Sequence, residues 1–560
     1  MATTDSQLRG DGNTKLKRHV GPIGLLFAGI GSIIGSGWLF GAFNASVIAG
    51  PSAIFSWLVA GLMIMLIGLC YAEIGPMFPI SGGVVRYPHL VWGSFTSYSL
   101  GFITWISSAA VPAIEVEGAL TYATKYAPFT TPHVVNGTTV HTLTGLGLVL
   151  AVILMAIFVA INYYGVRLFT QINNVLVWWK LAVIILVIAV FLITALGTTT
   201  MGSPANFTSH GFAPNGPAAV FTAISTAGIT FSYLGFRQGV ELAGETDNPK
   251  RNIPLAIIGS VGITAIIYAL LQVAFTVAVP GGLLDRSGSW AKLTFNDDFG
   301  PLAALSSLAG LTWLAILLYA DAVISPADTG LVYTTIASRV SYAMGRNGNS
   351  PRWLATNNKQ GVPYWSLVVT FVVGLILFLP FPSWQQLVGF ITSATVISFG
   401  SGPLVAAALR RSMPERERPF RLPFGDTIPL LGFYSANMIV YWGGWSTNAK
   451  LFITILLGYI LLVIFQLVGD RRRKPPLEFV AGAVWVVPWF ILMALISWLF
   501  DPETHPAMFG WVFLINAVVS VGIFYLALHT RLATDKVLHY IADAEHESED
   551  EDALAGGHVG

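Results

Sequence analysis

The chain has 560 residues, of which 54% are hydrophobic and only 10% are charged. A water-soluble protein of this size needs more charged residues on its surface, so the composition excludes that class and indicates a polytopic membrane protein. The formal net charge of +1 does not indicate a nucleic-acid partner, because the placement of Lys and Arg matters more than their sum in membrane proteins. The single cysteine, Cys70, excludes an intramolecular disulfide.

Apolar segments long enough to cross a bilayer recur along the chain. Taking roughly 20 apolar residues as one crossing, we predict an all-α polytopic membrane protein with about 14 transmembrane helices. In chain order, the predicted spans are 21–47, 51–74, 95–126, 143–163, 172–196, 218–243, 253–279, 302–336, 364–379, 384–409, 428–445, 451–468, 479–500 and 509–528. The third and eighth are longer than one crossing needs, so we expect them to be tilted or to extend beyond the membrane.

The distribution of Lys and Arg predicts the orientation of the chain. With the N-terminus inside, four basic residues fall in external loops, two fall within spans, and all others lie on the inner side. The four external residues are Lys125, Arg286, Lys292 and Lys450. Because positive charge accumulates on the cytoplasmic side, we expect a multi-pass protein of the cell inner (plasma) membrane with both termini in the cytoplasm.

The first span contains five glycines and two serines in the stretch GIGSIIGSGWLFG, at positions 29–41. Glycine destabilises a helix interior by roughly 1 kcal/mol relative to alanine. In a bilayer, the freed backbone groups are tolerated only when they are buried in protein or face a polar cavity. The pattern predicts a break that offers N–H groups to an anion and carbonyls to a cation, as a zwitterion site requires. The alternative is a face of small residues that lets helices pack closely.

The sixth span is interrupted in the same way. It contains ISTAGITFSYLGFRQGVELAGETDNPKRNIP, in which Gly228, Gly235 and Gly239 fall within the apolar stretch. Two interrupted helices in corresponding positions, five spans apart, are typical of the central binding site of a secondary transporter. Close packing of glycine-rich helices in a channel or a membrane enzyme would not account for the matched positions of the two breaks.

Several motifs resemble those of the amino acid/polyamine/organocation (APC) superfamily of permeases. They are GSIIGSGWLFG in the first span, YAEIGPMFPISGG after the second, GETDNPKRNIP after the sixth, and ASRVSYAMGRNG followed by VPYWS after the eighth. The resemblance covers spans one to ten, with the cytoplasmic motifs in the expected order. Within the superfamily, GSGWLF, the PFPSW turn and VYWGGW are similar to bacterial aspartate–proton symporters.

The resemblance implies a LeuT-type fold, in which spans one to five and six to ten form two inverted repeats with discontinuous first and sixth helices. The transporter core would then occupy 20–411, and the peripheral spans eleven to fourteen would occupy 412–530. We expect the polar segment 1–19 to be a cytoplasmic tail. The acidic segment 531–560 is predicted to be a disordered cytoplasmic tail.

The resemblance also implies a substrate site between the two broken spans. In related permeases, backbone N–H groups of the first break bind the α-carboxylate of the substrate, and carbonyls of both breaks bind its amino group. An aromatic residue in the sixth span covers the substrate, and Phe231 takes that place here. The corresponding residues for the carboxylate are Gly35, Ser36 and Gly37, and those for the amino group are Ile33, Phe231 and Leu234.

Lys180 lies inside the fifth predicted span, in NNVLVWWKLAVIILV. A charged side chain at that depth costs at least about 2.5 kcal/mol, so its presence indicates a function. In proton-coupled members of the family, a lysine at the matching position takes the place of a sodium ion beside the first span. This implies that Lys180 carries the coupling proton. The alternative is a lysine that reaches the membrane interface beside Trp178 and Trp179.

Arg237 follows the Gly235 break by two residues, in a region where the family often carries an acidic or polar residue. A guanidinium can bind a carboxylate through two parallel hydrogen bonds. We therefore predict that Arg237 binds the second carboxylate of aspartate or glutamate. The alternative is a structural or gating ion pair with Glu241, four residues later on the same helix.

Two glutamates, Glu115 and Glu117, lie in the third span about 200° apart around the helix, so we expect only one of them to face the core. Glu115 shares a face with Gly118, Ala119 and Tyr122. We favour Glu115 as the residue that accepts a proton or takes part in a polar network along the transport path.

A polar stripe marks the eighth span, where Asp321, Ser325 and Asp328 follow one another at helical spacing. On an otherwise apolar helix, such a stripe is expected to face the interior of the bundle. We predict that Asp321 takes part in proton coupling by pairing with Arg237 or Lys180. The pattern does not choose between these partners, nor does it choose among Lys180, Glu115 and Asp321 as the proton carrier.

These observations predict a secondary active amino acid transporter and not an enzyme, because the histidines lie in tails, loops or span ends. A channel would show pore loops or rings of like charge. We expect proton symport of an acidic amino acid such as aspartate by alternating access, with no cofactor and no sodium site. The substrate and the lipid bilayer are the predicted partners. Two alternatives stay open: an amino acid exchanger, and a proton-coupled permease for neutral amino acids.

Overall fold

The computed structural model describes residues 20–80, 82–135, 138–164, 166–197, 202–243, 246–295, 299–358, 362–468 and 476–543. The described residues are all-α apart from one β-hairpin, because a helix satisfies the backbone groups of an apolar segment within that segment. The helices are α1 (Pro22–Ile33), α2 (Gly37–Ala49), α3 (Ala53–Met77), α4 (Gly83–Trp92), α5 (Ser94–Ala123), α6 (Gly145–Tyr164), α7 (Val166–Gly197), α8 (Gly216–Thr226), α9 (Gln238–Glu241), α10 (Pro249–Ala278), α11 (Gly281–Ser287), α12 (Pro301–Leu308), α13 (Thr312–Arg346), α14 (Tyr364–Leu377), α15 (Trp384–Phe399), α16 (Ser401–Ser412), α17 (Thr427–Trp442), α18 (Trp445–Leu467), α19 (Phe479–Leu499) and α20 (Phe509–His529).

Ten helical stretches of the described residues are long and apolar enough to cross a bilayer. The count treats α2 with α3, and α15 with α16, as single stretches. It becomes eleven if the bent pair Gly216–Thr226 and Phe231–Glu241, which meet at 48°, is one span. Two shorter apolar helices, α1 and α14, fall below that length. The molecule is therefore a polytopic membrane protein, as the composition predicts.

The packing of the helices follows a repeated scheme. In the numbering of the predicted spans, the second packs on the seventh (α3 on α10) and the third on the eighth (α5 on α13). Other contacts recur when each span number is shifted by five. The third span packs on the ninth and tenth (α5 on α14 and α15). The eighth span packs on the fourth and fifth (α13 on α6 and α7). Helices α5 and α13 pack against each other over a long contact, and α5 is buried along almost its whole length.

The eighth predicted span, 302–336, is wrong in its boundaries. The chain forms the short helix α12, turns at Gly310, and only then begins α13 at Thr312. Gly310 has a φ of 69°, a left-handed conformation that ends a helix and that glycine adopts without strain. At its other end, α13 runs ten residues past the predicted end, to Arg346.

A β-hairpin, which the periodicity does not predict, connects α5 and α6. Its strands are β1 (Thr130–Val135) and β2 (Thr138–Leu143), paired antiparallel with Thr130 opposite Leu143. A single bridge joins Thr142 to Ser383. The hairpin therefore lies against the residue that precedes α15.

The predicted disordered tail, 531–560, is wrong in its first part, because residues 534–543 form a helix, α21. Leu532, Val537 and Ile541 are buried, and the backbone N–H of Leu532 donates a hydrogen bond to the Val91 carbonyl at 2.9 Å. These few apolar residues dock the helix, although the segment is acidic on average. The remainder of the predicted tail and the N-terminal segment 1–19 lie outside the described residues.

Candidate functional site

The first span is broken where the glycine pattern predicts. Helix α1 ends at Ile33, α2 begins at Gly37, and the intervening residues Ile34, Gly35 and Ser36 leave the helical path. All of these residues are buried. Because α2 begins inside the protein, its first N–H groups and the positive end of its dipole point at an internal position where an anion is favoured.

The sixth span is broken between α8 and α9, where a 3₁₀ helix, Phe231–Arg237, follows a turn. Phe231 and Leu234 lie in this 3₁₀ helix and are buried. The two breaks touch through Gly235, whose hydrogen atom faces the backbone of Ser32 and Ile33. A side chain at Gly235 would overlap that backbone, so glycine is required for the two broken spans to approach each other.

Several backbone groups that were predicted to bind substrate have partners within the chain. The N–H of Ser36 donates to Glu115 Oε2 at 2.7 Å, and the N–H of Gly35 donates to the Ile33 carbonyl at 3.2 Å. The same carbonyl accepts a hydrogen bond from the Tyr268 hydroxyl at 3.3 Å. In this conformation, the chain itself satisfies these three groups.

Aromatic rings pack together beside the two breaks. The Trp384 indole donates to Ser36 Oγ at 2.9 Å and packs on Phe40 with ring centroids 4.7 Å apart. Phe231 meets Trp384 edge to face, at 6.3 Å. Trp384 thus connects Phe231 to the first break.

Lys180 is buried next to the first break. Its Nζ donates to the Gly31 carbonyl at 3.0 Å and to Thr329 Oγ1 at 3.1 Å, and it lies 2.7 Å from Asp328 Oδ2. The lysine side chain is 0% exposed, so the alternative of a lysine that reaches the membrane interface is wrong. The contact with Gly31 ties the cation directly to α1.

The stripe on α13 faces the interior, as predicted, since Asp321, Ser325 and Asp328 are all buried. The predicted partner of Asp321 is nevertheless wrong. Asp321 Oδ1 accepts hydrogen bonds from the Trp179 indole at 2.9 Å and from Ser325 Oγ at 2.7 Å. Among the described residues, Asp321 forms no ion pair with Arg237 or Lys180, because Asp328, two turns further along α13, is the acid that reaches the lysine.

Arg237 is buried, with 1% of its surface exposed, and lies in the 3₁₀ helix of the sixth span. Its Nη2 donates to Ser108 Oγ at 2.8 Å, and the guanidinium lies 5.0 Å from the centre of the Tyr333 ring and 6.0 Å from that of Phe399. Its Nε has no hydrogen-bond partner within the described part of the chain. The alternative of an ion pair with Glu241 is not found among those residues.

Both glutamates of the third span are buried, so the expectation that only one faces the core is wrong. Glu115 is 0% exposed and Glu117 is 2% exposed. Helix α5 is central and packs against other helices on all sides, so opposite faces of it are equally shielded. The two residues still differ, since Glu115 contacts the first break, whereas neither carboxylate oxygen of Glu117 has a partner among the described residues.

Sequence reasoning missed four residues of the site. Trp384 was noted only within the PFPSW turn, and Asp328 only as part of the stripe. Thr329, which joins Lys180 to the Ile34 carbonyl, and Ser108 carry no sequence signal beyond being polar in an apolar span. Such residues can be found only once the neighbouring helices are placed.

Comparisons with known proteins identify the family. A family model described as "Amino acid permease" matches residues 20–528. The glutamate/serine transporter AimA of Bacillus subtilis (strain 168) is 35% identical over 540 residues, covering 95% of this chain and 96% of that protein. The aspartate-proton symporter of the same organism is 34% identical over 511 residues, covering 91% and 95%. The branched-chain amino acid permease BcaP of Bacillus subtilis (strain 168) is 28% identical over 476 residues, covering 83% of this chain and 95% of that protein. The chain belongs to the amino acid permeases of the APC superfamily, and it is a transporter and not an enzyme.

Proposed function

We propose that the protein takes up an acidic amino acid, such as aspartate or glutamate, together with protons, by alternating access across the cell inner membrane. The observation that carries this proposal is Arg237, a buried guanidinium that forms no direct ion pair among the described residues, although Glu241 interacts with it electrostatically. A buried cation without a partner is unfavourable, and an anionic substrate side chain would supply the missing charge. The names of the glutamate/serine and aspartate-proton relatives agree with such a substrate.

The proposed fold has about 14 crossings and a LeuT-type core of two inverted five-helix repeats at 20–411, with the remaining spans peripheral at 412–530. The repeated packing scheme supports the repeats, since α5 and α13 make equivalent contacts with helices five spans apart. The contact between the two breaks at Gly235 supports a central site. Both termini are proposed to lie in the cytoplasm, in agreement with the distribution of Lys and Arg.

In the proposed bound state, the α-carboxylate of the substrate binds the N–H groups of Gly35, Ser36 and Gly37 at the start of α2. The amino group binds carbonyls of the two breaks, those of Ile33, Phe231 and Leu234. For this to happen, the internal hydrogen bonds of Ser36 and Ile33 must exchange for bonds to the substrate. The ring of Phe231 then closes the site together with Trp384.

On α5, the residue that contacts the first break and the residue that contacts Arg237 lie on the same face of the helix. Glu115 contacts Ser36 and Ser108 contacts Arg237, seven residues or about 10 Å apart along the axis. A substrate lying along this face would meet the N–H groups of the first break at one end and the guanidinium at the other.

Proton coupling is proposed to run through Lys180, assisted by Glu115 and Asp321. The lysine contacts α1 at Gly31 and carries Asp328 as its counter-ion, so a change in its charge alters what holds α1 in place. We propose no sodium site and no cofactor, because the ammonium group occupies the position beside the first span where a cation would bind the same carbonyl.

Two other activities fit the same fold. An exchanger would use the same site without proton-driven accumulation. A neutral substrate is the second alternative, since the name of one relative includes serine. Arg237 favours the acidic substrate over the neutral one, since a neutral amino acid would leave the guanidinium unpaired.

Reconstituted liposomes separate these activities. With no internal substrate, an imposed inward proton gradient should drive accumulation of labelled aspartate or glutamate, and serine should compete weakly. Accumulation only when the liposomes contain internal amino acid would indicate an exchanger. Preferred uptake of a neutral amino acid would contradict the role of Arg237.

A further inference from the structure

The carboxylate of Glu115 occupies the position that the start of α2 offers to an anion. Its Oε2 accepts the Ser36 N–H at 2.7 Å, and its Oε1 lies so near the first break that a side chain on Gly35 would come within 2.5 Å of it. Oε1 has no hydrogen-bond partner among the described residues. The site predicted for a substrate carboxylate therefore already holds a carboxylate, and it belongs to the protein.

We propose that Glu115 competes with the substrate for the Ser36 N–H, and that protonation of Glu115 gives this donor up to the substrate. The proposal rests on the proposed function, since it presumes that an amino acid carboxylate binds at this break. A hydrogen bond to a carboxylate is about twice as strong as one to a neutral acceptor. Once a proton from solvent has added to Glu115, its hydrogen bond to Ser36 weakens and the substrate carboxylate replaces it.

Charge repulsion makes the exchange obligatory. If Glu115 stayed ionised, a substrate carboxylate on the same N–H would bring two negative charges into contact in a buried site, which is strongly unfavourable. The groups facing Glu115 from neighbouring helices are Lys180 of α7, Asp328 of α13, and the phenols of Tyr268 and Tyr333. Lys180 already has Asp328 as its counter-ion, so it does not offset a second carboxylate fully.

A purely structural role for Glu115 makes a different prediction. A buried carboxylate at the start of a helix stabilises its unpaired N–H groups, and glutamine can accept the same hydrogen bond. In Glu115→Gln, the hydrogen bond to Ser36 is therefore kept while the charge is removed. If Glu115 only stabilised the break, substrate affinity would keep its dependence on pH in this variant.

The test is the affinity for aspartate, glutamate and serine, measured on the purified full chain in nanodiscs from acidic to mildly alkaline pH. In the wild type, the dissociation constant should fall by up to about tenfold for each unit of acidification, as one coupled proton requires. Glu115→Gln should bind at neutral pH as tightly as the wild type does at acidic pH, and its slope should be smaller than that of the wild type because the proton on Glu115 no longer contributes. Glu117→Gln is the matched control, a buried glutamate on the same helix, and should follow the wild type.

Retention of the wild-type slope in Glu115→Gln, or weaker binding than the wild type at every pH, would overturn the inference. If wild-type protein binds none of the three amino acids at any pH, the proposed function itself fails. Should Glu115→Gln not fold, infrared difference spectra of the wild type replace it. Addition of substrate with isotope-labelled carboxylates at neutral pH should then produce the carbonyl band of an unlabelled protonated carboxyl group, and its absence would refute the inference.

Discussion

Two buried cations, Lys180 and Arg237, flank the broken spans, and they differ in how completely the protein satisfies them. Lys180 has a carboxylate, a hydroxyl and a carbonyl within 3.1 Å of its Nζ. Arg237 has one hydroxyl, that of Ser108, and two aromatic rings. Both side chains are at most 1% exposed.

The contrast assigns the two residues to different tasks. A cation whose donors are all satisfied can hold a helix in place and release it when its charge changes, which suits a coupling residue. A buried cation that lacks an anion is costly until one arrives, which suits a residue that selects its ligand. Substitutions at each cation and at its neighbours test this division of roles.

The largest effect is expected at Lys180. Lys180→Ala removes all three contacts and leaves Asp328 as a buried unpaired charge, which should destabilise the protein by about 3–5 kcal/mol and abolish uptake driven by a pH gradient. Uptake into liposomes and the midpoint of thermal unfolding measure the two consequences separately.

Adding Asp328→Asn to Lys180→Ala removes the unpaired charge, so thermal stability should recover while gradient-driven uptake does not. Lys250→Ala is a control, because that lysine forms an exposed ion pair with Glu417 and should leave both readouts unchanged. Normal gradient-driven uptake in Lys180→Ala would disprove the coupling role.

At Arg237 we expect a loss of selectivity and not of transport. Arg237→Gln removes a charge-assisted interaction worth about 1.5–3 kcal/mol, so affinity for aspartate and glutamate should fall by roughly 10- to 100-fold. Affinity for serine should change little, because serine has no second carboxylate. Competition binding with the three amino acids gives the ratio.

The affinity of Arg237→Lys for aspartate and glutamate should lie between those of the wild type and Arg237→Gln. Lysine keeps the charge but cannot form the two parallel hydrogen bonds of a guanidinium. Arg411→Gln, at a partly exposed ion pair with Asp426, is the control. Equal aspartate affinity in Arg237→Gln and the wild type would remove the selectivity role and leave the cation unexplained.

A smaller loss of gradient-driven uptake is expected when Thr329, a hydrogen-bond partner of Lys180, is substituted. Thr329→Val keeps the shape of the side chain but removes one acceptor from Lys180 and one donor to the Ile34 carbonyl, about 1 kcal/mol for a typical hydrogen bond. Gradient-driven uptake should fall by roughly fivefold, with little change in substrate affinity.

Thr334→Val is the matched control on the same helix, since the Thr334 hydroxyl donates to the Gly330 carbonyl one turn earlier. If both variants lose uptake equally, Thr329 contributes through helix stability and not through Lys180.

The sequence predicts the breaks and the charges well, for a physical reason. Glycine at Gly35, Gly37 and Gly235 and a lysine in an apolar span are costly features in a bilayer, so each marks a place where the fold must compensate. The family follows from motifs around the same breaks. These features are local, and one chain is sufficient to identify them.

The features that the sequence does not predict depend on the position of a side chain along its helix and on the placement of the neighbouring helices. Asp321 and Asp328 share a face but lie about 10 Å apart along α13, and only the position of α7 decides which of them meets Lys180. Burial of Glu117 follows from the central position of α5, which helical periodicity cannot reveal. The hydrogen bond from the Ser36 N–H to Glu115 joins residues that are 79 positions apart in the chain. It can be identified only when the first and third spans have been placed side by side.

The smallest effect should come from Ser108, which holds Arg237 but leaves its other donors for a ligand. Ser108→Ala removes the hydrogen bond to Nη2, and the cost of a less ordered guanidinium should weaken aspartate and glutamate binding by about two- to fivefold, as about 0.5–1 kcal/mol implies. Serine affinity should not change. Ser107→Ala is the control, because the Ser107 hydroxyl donates to the Thr104 carbonyl of its own helix. If Ser108→Ala weakens aspartate binding as much as Arg237→Gln does, Ser108 contacts the substrate itself and does more than hold Arg237 in position.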